Sequence, residues 1–135
     1  SNIIFTGAVY GADKNTLLRH SSAFCIPSTI EGLAITLLEA MSYGLVCIAS
    51  DIPSNREGLS DNGIWVTAED IDSLAEKIEY VISNRDALSH IKELNRRRVE
   101  QNFTWDIIAK RYVEYITNVC DSNHRSSYPN SHDMD

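Results

Sequence analysis

The chain has 135 residues, 43% of them hydrophobic, and its 12 basic and 19 acidic residues give a formal charge of −7. That apolar content excludes wholesale disorder and suits one domain or part of a larger one. The acidic balance argues against a nucleic-acid partner, which needs a basic face, and no run approaches the roughly 18 apolar residues of a membrane span.

In chain order, "NIIFTG" (2–7) is a short β-rich run closed by glycine, and "AVYGADKN" reads as a loop. Asp13 is placed to cap a helix over about 14–22, with Leu17 and Leu18 on its buried side. "AFCIP" (23–27) is a second strand, stopped by Pro27. "STIEG" then turns the chain into a helix starting near Gly32–Ala34 and carrying Leu37, Leu38, Ala40 and Met41. Gly44 is suited to end it with a left-handed residue. "LVCIAS" (45–50) makes a third strand and "IWV" (64–66) a fourth.

The remainder reads as helical. "DIDSLAEKIEYVIS" (70–83) sets Leu74, Ile78, Val81 and Ile82 on one stripe. A more polar helix is expected over about 85–101. Thr104 starts a last one with Ile108, Tyr112, Tyr115 and Val119 turned inward. Residues 2–119 form the predicted domain, and 120–135 are expected to be a disordered tail without apolar period. Strands that alternate with helices and are continuously apolar indicate a parallel sheet covered on both faces, a Rossmann-like doubly wound α/β unit. Four strands are few for such a sheet, so an N-terminally incomplete domain is expected.

Several features take bland readings. "NRRRV" (95–99) is the one dense basic cluster and reads as a solvated helix face. Cys25, Cys47 and Cys120 lack CxxC spacing; the first two sit in apolar runs and read as buried thiols, which suggests a reducing, cytoplasmic setting. The four histidines show no metal-ligand spacing, and no metal site is expected. Asp70-Ile71-Asp72 reads as acids opening a helix, and Asp133-Met134-Asp135 as part of the tail.

The informative stretch is "PSTIEGLAITLLEAMSYGLVCIASD" (27–51), with Glu31 and Glu39 eight positions apart. In doubly wound sheets, ligands bind where strand C-terminal ends lead into helix N-termini. Backbone N–H groups there, with the positive end of the helix dipole, suit a diphosphate. Gly32, without a Cβ, allows close approach. Glu39 carries an acceptor-only carboxylate suited to the paired hydroxyls of a ribose, and Glu31 stands where it can meet sugar hydroxyls. Spacing by itself favours the plainer reading, a first-turn acid and an exposed helix residue.

The wider string "PSTIEGLAITLLEAMSYGLVCIASDIPSNREGL" resembles the donor-binding segment of the family 4 (group 1) retaining glycosyltransferases of the GT-B fold. That family's pattern is approximately P-S-x-x-E-G-[FL]-[GP]-[LI]-x-[LV]-[LV]-E-A-M-[AS]-x-G-x-P-V-[VI]-[AG]-[ST]-[DN]-x-x-[GP]-x-x-E. The flanking segments are similar too, so about residues 2–118 are covered. Ala34 and Val46 depart from a frequent glycine and a frequent proline.

The resemblance implies sugar transfer from a nucleotide-activated donor to an acceptor hydroxyl, with retained configuration, no metal and no cofactor. Glu39 would bind the donor ribose, and Glu31 would act as the catalytic-centre carboxylate beside the transferred sugar. The amides of Gly32, Leu33, Ala34 and Ile35 would face the sugar and diphosphate. Gly7 and Val9, in the loop Gly7–Tyr10, would lie near the base, and Glu57 would be structural support. The partners implied are the nucleotide-sugar donor and an N-terminal acceptor-binding domain, absent from these residues together with the basic groups that grip the phosphates. Glycan or lipid-linked glycan assembly at the inner face of the membrane is the implied setting, without membrane association by this segment. A sugar-nucleotide epimerase of similar fold and a non-catalytic sugar-nucleotide-binding scaffold are the alternatives.

Overall fold

The computed structural model describes residues 2–126. Its elements in chain order are α1 (Gly11–His20), β1 (Ala23–Ile26), α2 (Ile35–Ser42), β2 (Val46–Ser50), α3 (Pro53–Leu59), a 3₁₀ turn (Ser60–Asn62), β3 (Ile64–Val66), α4 (Ile71–Ser83), α5 (Ser89–Asn102) and α6 (Trp105–Ser126). Two compact units are distinguished, residues up to Glu100 and residues from Gln101 onward.

In the first unit the sheet has the order β1-β2-β3, and both pairings are parallel. All five residues of β2 are buried, as befits a strand covered on both faces. Its side chains divide by the two-residue period of the strand. Cys47 and Ala49 join Leu18 of α1, Leu37, Ala40 and Met41 of α2, and Leu59 in one apolar cluster. Val46 and Ile48 join Val66, Val81 of α4, Leu88 and Ile91 of α5 in the other. Helices thus cover both faces, the Rossmann-like doubly wound arrangement that the alternation of elements implied.

The end of α2 closes as a Schellman motif. Gly44 has φ +71°, its N–H donates to Met41 O, and Leu45 N–H donates back to Ala40 O at 3.1 Å. Asp70 caps α4 by accepting from Ser73 N–H at 2.9 Å, so the first D-x-D pattern is a helix start. Asp133-Met134-Asp135 lies outside the described residues.

Several elements differ from the sequence reading. The run at 2–7 is not a strand, and among the described residues the sheet has three strands rather than four. Ile3, Ile4 and Phe5 are 71%, 84% and 95% exposed. An apolar run supplies side chains for a strand, but a strand also needs a ladder of hydrogen bonds to a neighbour, and this run is not among the strands β1, β2 and β3 of the sheet. Helix α1 begins three residues early, on Gly11 at φ +56°, with Tyr10 as its N-cap and Asp13 in its first turn. Leu18 is buried, but Leu17 is half-exposed. On the α4 stripe Val81 is buried, while Ile78 and Ile82 stay exposed beside an open groove with Cys25. Cys25 is therefore an exposed thiol, unlike the buried Cys47.

"NRRRV" is also more than a solvated face. Asn95 is fully buried and donates from Nδ2 to Leu45 O at 2.8 Å. Arg96 donates to Tyr43 O, and Arg98 donates to Gly58 O and Glu57 O at 2.6 and 2.7 Å. Among these arginines Arg97 fits the expectation, pairing with Glu93 one turn back. The arginines supply donors to the carbonyls that end α2 and α3, where cations are favoured.

In the second unit, Thr104 stands before α6, and its Oγ1 accepts from Ile107 N–H at 3.4 Å. Tyr112 and Tyr115 are 67% and 69% exposed, so the stripe expected to face inward is open. Periodicity identifies an apolar face, not what covers it. The helix continues to Ser126, past residue 120 where the tail was expected to begin; residues 127–135 of that tail lie outside the described residues.

Candidate functional site

The C-terminal ends of β1 and β2 open into two loops, residues 27–34 and 51–52. Between the first loop and the start of α3 lies a groove of about 460 Å³, lined by Ile30, Glu31, Gly32 and Leu33 on one side and Pro53 and Glu57 on the other. Glu31 is held in the loop by Ser28, whose hydroxyl donates to its Oε1 at 2.8 Å. Glu57 lines the groove, and its backbone carbonyl is tied to Arg98. Two carboxylates and an apolar floor give a surface that can accept hydrogen bonds from hydroxyl groups.

The α3 wall is fixed by a separate clamp. Arg56 makes a two-pronged contact with Asp51, at 2.6 and 2.7 Å, and lies 4.0 Å above the Trp65 ring. The hydrogen bonds from Arg56 hold the Asp51 carboxyl below its ordinary range. Gly58, behind the wall, is packed closely: a Cβ there would sit 3.3 Å from Leu37 and 3.4 Å from Leu33.

Helix α2 starts at Ile35, slightly later than the Gly32–Ala34 start expected. Its N-cap is Ala34, which has no side-chain acceptor. Leu37 and Leu38 both donate to Ala34 O, leaving the Ile35 and Thr36 amides outside the intrahelical ladder. Serine, threonine or aspartate at the cap would normally satisfy one such donor. The uncapped start instead leaves N–H groups and the positive end of the dipole available to an anion. Glu39 lies four residues beyond Ile35, so about 6 Å along the axis and nearer the helix mouth than two turns.

Glu39 has a partner that no local pattern indicated. Lys14 of α1, 25 positions earlier, donates from Nζ to Glu39 Oε1 at 2.6 Å, with each side chain 32% exposed. Oε2 of the same carboxylate is buried and has no hydrogen-bond partner. Thus Glu31, Gly32 and Leu33 share the groove, Ala34 and Ile35 form the adjoining helix start, and Glu39 belongs to the α1–α2 contact. Gly7, at φ +66°, and the half-buried Val9 precede α1 and are not among the groove's lining residues. Among the described residues, no three His, Cys, Asp or Glu side chains gather as metal ligands, and no helix is long and apolar enough to cross a membrane.

Comparison with known proteins gives one consistent result. Residues 1–98 match the family described as glycosyl transferases group 1. An uncharacterised glycosyltransferase of Methanocaldococcus jannaschii is 31% identical over 113 residues, covering 82% of this chain and 29% of the relative. The O-antigen chain mannosyltransferase C of Escherichia coli is 28% identical, over 90% of this chain and 34% of the relative. A phosphatidyl-myo-inositol mannosyltransferase of Mycobacterium leprae is also 28% identical, over 90% and 33%. The chain therefore spans about a third of the length of these relatives.

Proposed function

The chain belongs to the group 1 glycosyl transferases, as a stretch of their C-terminal portion, and from that premise we propose that it binds the nucleotide-sugar donor of a retaining hexosyl transfer to an acceptor hydroxyl. The observation that carries the reading is the uncapped start of α2, set between the Glu31 groove and the Glu39 carboxylate. A nucleoside diphosphate sugar has three parts in the order sugar, diphosphate, ribose. The groove offers acceptors for sugar hydroxyls, the Ile35 and Thr36 amides offer donors to the diphosphate, and Glu39 offers an acceptor to the ribose.

In this reading Glu31 contacts the transferred sugar at the reacting centre. The amides of Gly32, Leu33, Ala34 and Ile35 line the path of the diphosphate, and Gly7 and Val9 border the base. Charge builds on the departing diphosphate as the glycosidic bond breaks, and preoriented amides at a helix start stabilise it without reorganisation. The donor phosphate takes the proton of the incoming hydroxyl on the same face. The scheme needs no metal or cofactor beyond the donor, and the reaction runs in the cytoplasm.

The acceptor is assigned to a domain that closes over the donor and is built from sequence beyond the shared third. Two of the relatives carry mannosyltransferase names, one for an O-antigen chain and one for phosphatidyl-myo-inositol. They favour a hexose as the transferred group and glycan or lipid-linked glycan synthesis as the setting.

Saturation-transfer NMR with UDP, GDP and ADP tests the reading. The chain should bind at least one of them at about millimolar affinity, roughly 4 kcal/mol, and Glu39→Ala should lose most of the ribose-proton signal. Equal signals from both proteins would remove the ribose role.

A further inference from the structure

An ion pair between two partly exposed side chains contributes little by itself, because water and salt screen it and both chains lose rotamer freedom. The Lys14–Glu39 contact is such a pair, and the second oxygen of the same carboxylate is buried without a hydrogen-bond partner. Stability is therefore a poor account of the arrangement.

A better account follows from what each oxygen can do. An ionised carboxylate has two acceptor oxygens and no donor. Lys14 occupies Oε1 at 2.6 Å and removes that oxygen from competition. The remaining oxygen calls for a donor, and a hydroxyl is a donor small enough to enter the edge of a helix contact. Glu39 keeps about a third of its side chain open, the side from which a hydroxyl would approach.

Resting on the ribose reading of Glu39 above, we propose that Lys14 is a positioning residue for donor recognition. It holds Glu39 by Oε1, leaves Oε2 as the acceptor for a ribose hydroxyl, and thereby sets the preference for ribonucleotide over deoxyribonucleotide donors. Lys14 itself touches neither the sugar nor the diphosphate in this scheme. Its removal should alter discrimination at the ribose and leave the rest of the binding energy intact.

The test compares UDP, GDP and ADP with their 2′,3′-dideoxy counterparts, by titration of the full chain as wild type, Lys14→Met, Lys14→Arg and Lys14→Gln. A hydrogen bond to a charged acceptor corresponds to roughly a tenfold change in affinity, so the wild type should prefer the best ribonucleotide over its dideoxy form by about that factor. Lys14→Met should bring the ratio below about twofold, with unchanged affinity for the dideoxy form and an unchanged melting temperature. Lys14→Arg should restore most of the ratio, and Lys14→Gln replaces the methionine variant should that one fail to fold. A wild-type preference that survives in Lys14→Met, or in Lys14→Gln in its place, overturns the role of Lys14 and leaves the ribose reading standing. A wild-type ratio near one overturns the ribose reading, and the role of Lys14 with it.

Discussion

The buried Asn95 offers the sharpest test of how the fold is held. It lies on α5, fully excluded from water, and its Nδ2 donates to the carbonyl of Leu45 at the entrance to β2, 50 positions away. Its Oδ1 is buried without a partner. Asn95→Ala deletes the amide donor and leaves the Leu45 carbonyl with only the weak thiol donor of Cys47 at 3.5 Å, which costs about 1–3 kcal/mol, and adds a cavity worth about 1 kcal/mol. Removing the unpaired Oδ1 returns part of that, so a net loss of about 2 kcal/mol is expected. Asn95→Leu deletes the same donor but fills the cavity, and should cost about 1 kcal/mol less than the alanine variant. Asn95→Asp points a carboxylate at the Leu45 carbonyl and should cost about 3 kcal/mol or more at neutral pH.

The aspartate variant also has a defined pH sign. Burial raises a carboxyl pKa, so the folded state binds a proton that the unfolded state has released. Stability of the variant relative to wild type must then rise as pH falls towards the ordinary aspartate value, because the protonated group can donate to Leu45 again. Urea denaturation followed by far-UV circular dichroism measures all three variants; with m near 2 kcal/mol/M the alanine loss shifts the midpoint by about 1 M. The order expected is Leu, then Ala, then Asp in rising cost. An Asn95→Asp variant as stable as wild type at neutral pH would refute the reasoning, because Asn95 would then not be a buried donor.

Gly44→Ala should cost about 1–2 kcal/mol in the same assay, because Gly44 sits at φ +71° and an added Cβ would stand 2.5 Å from the Arg96 guanidinium. Gly44→Asn should cost less, since asparagine tolerates the left-handed region better. Burial first, and the nearby Cys25 second, push the Cys47 thiol from 9.0 up to about 12, so the fold keeps a proton that the unfolded chain loses. Its contribution is complete below pH 9.0 and is lost between there and about 12. Relative to Cys47→Ala, wild type should therefore lose roughly 1 kcal/mol between about pH 9 and about pH 10. An identical pH slope in the two proteins would show that Cys47 is accessible when folded.

The fold was legible wherever one period decided the outcome. The continuous apolar run at 45–50 could only be a strand covered on both faces, and "IWV" occupies the residues expected. Gly44 and Asp70 marked a helix end and a helix start because their chemistry suits one backbone conformation and one cap. Where the outcome depends on a distant partner, local pattern fails. "NIIF" has the residues of a strand but is not one of the strands of this sheet. The same limit made "NRRRV" look like a solvated face, since nothing nearby in sequence reveals that Asn95 reaches Leu45 or that Arg98 reaches Gly58.

The candidate site divides along the same line. Glu31, Gly32 and Glu39 stand in one short segment, where spacing alone favours ordinary helix acids and the family pattern is what marks them as a site. Lys14 is 25 residues away and pairs with Glu39 because α1 and α2 pack against the same sheet face, a fact of topology rather than motif. Ala34 illustrates a subtler loss. A hydrophobic pattern counts it as apolar filler, and against the family it reads as a departure from glycine. At the N-cap its importance is the oxygen it lacks: serine there would satisfy a helix-start donor with its own hydroxyl. Alanine leaves the Ile35 and Thr36 amides for an outside acceptor, beside the groove that Glu31 enters. Ala34→Ser, by closing that start from within, should therefore strengthen the helix while weakening the affinity for nucleoside diphosphate. A variant that gained stability and kept its affinity would show that the diphosphate binds elsewhere.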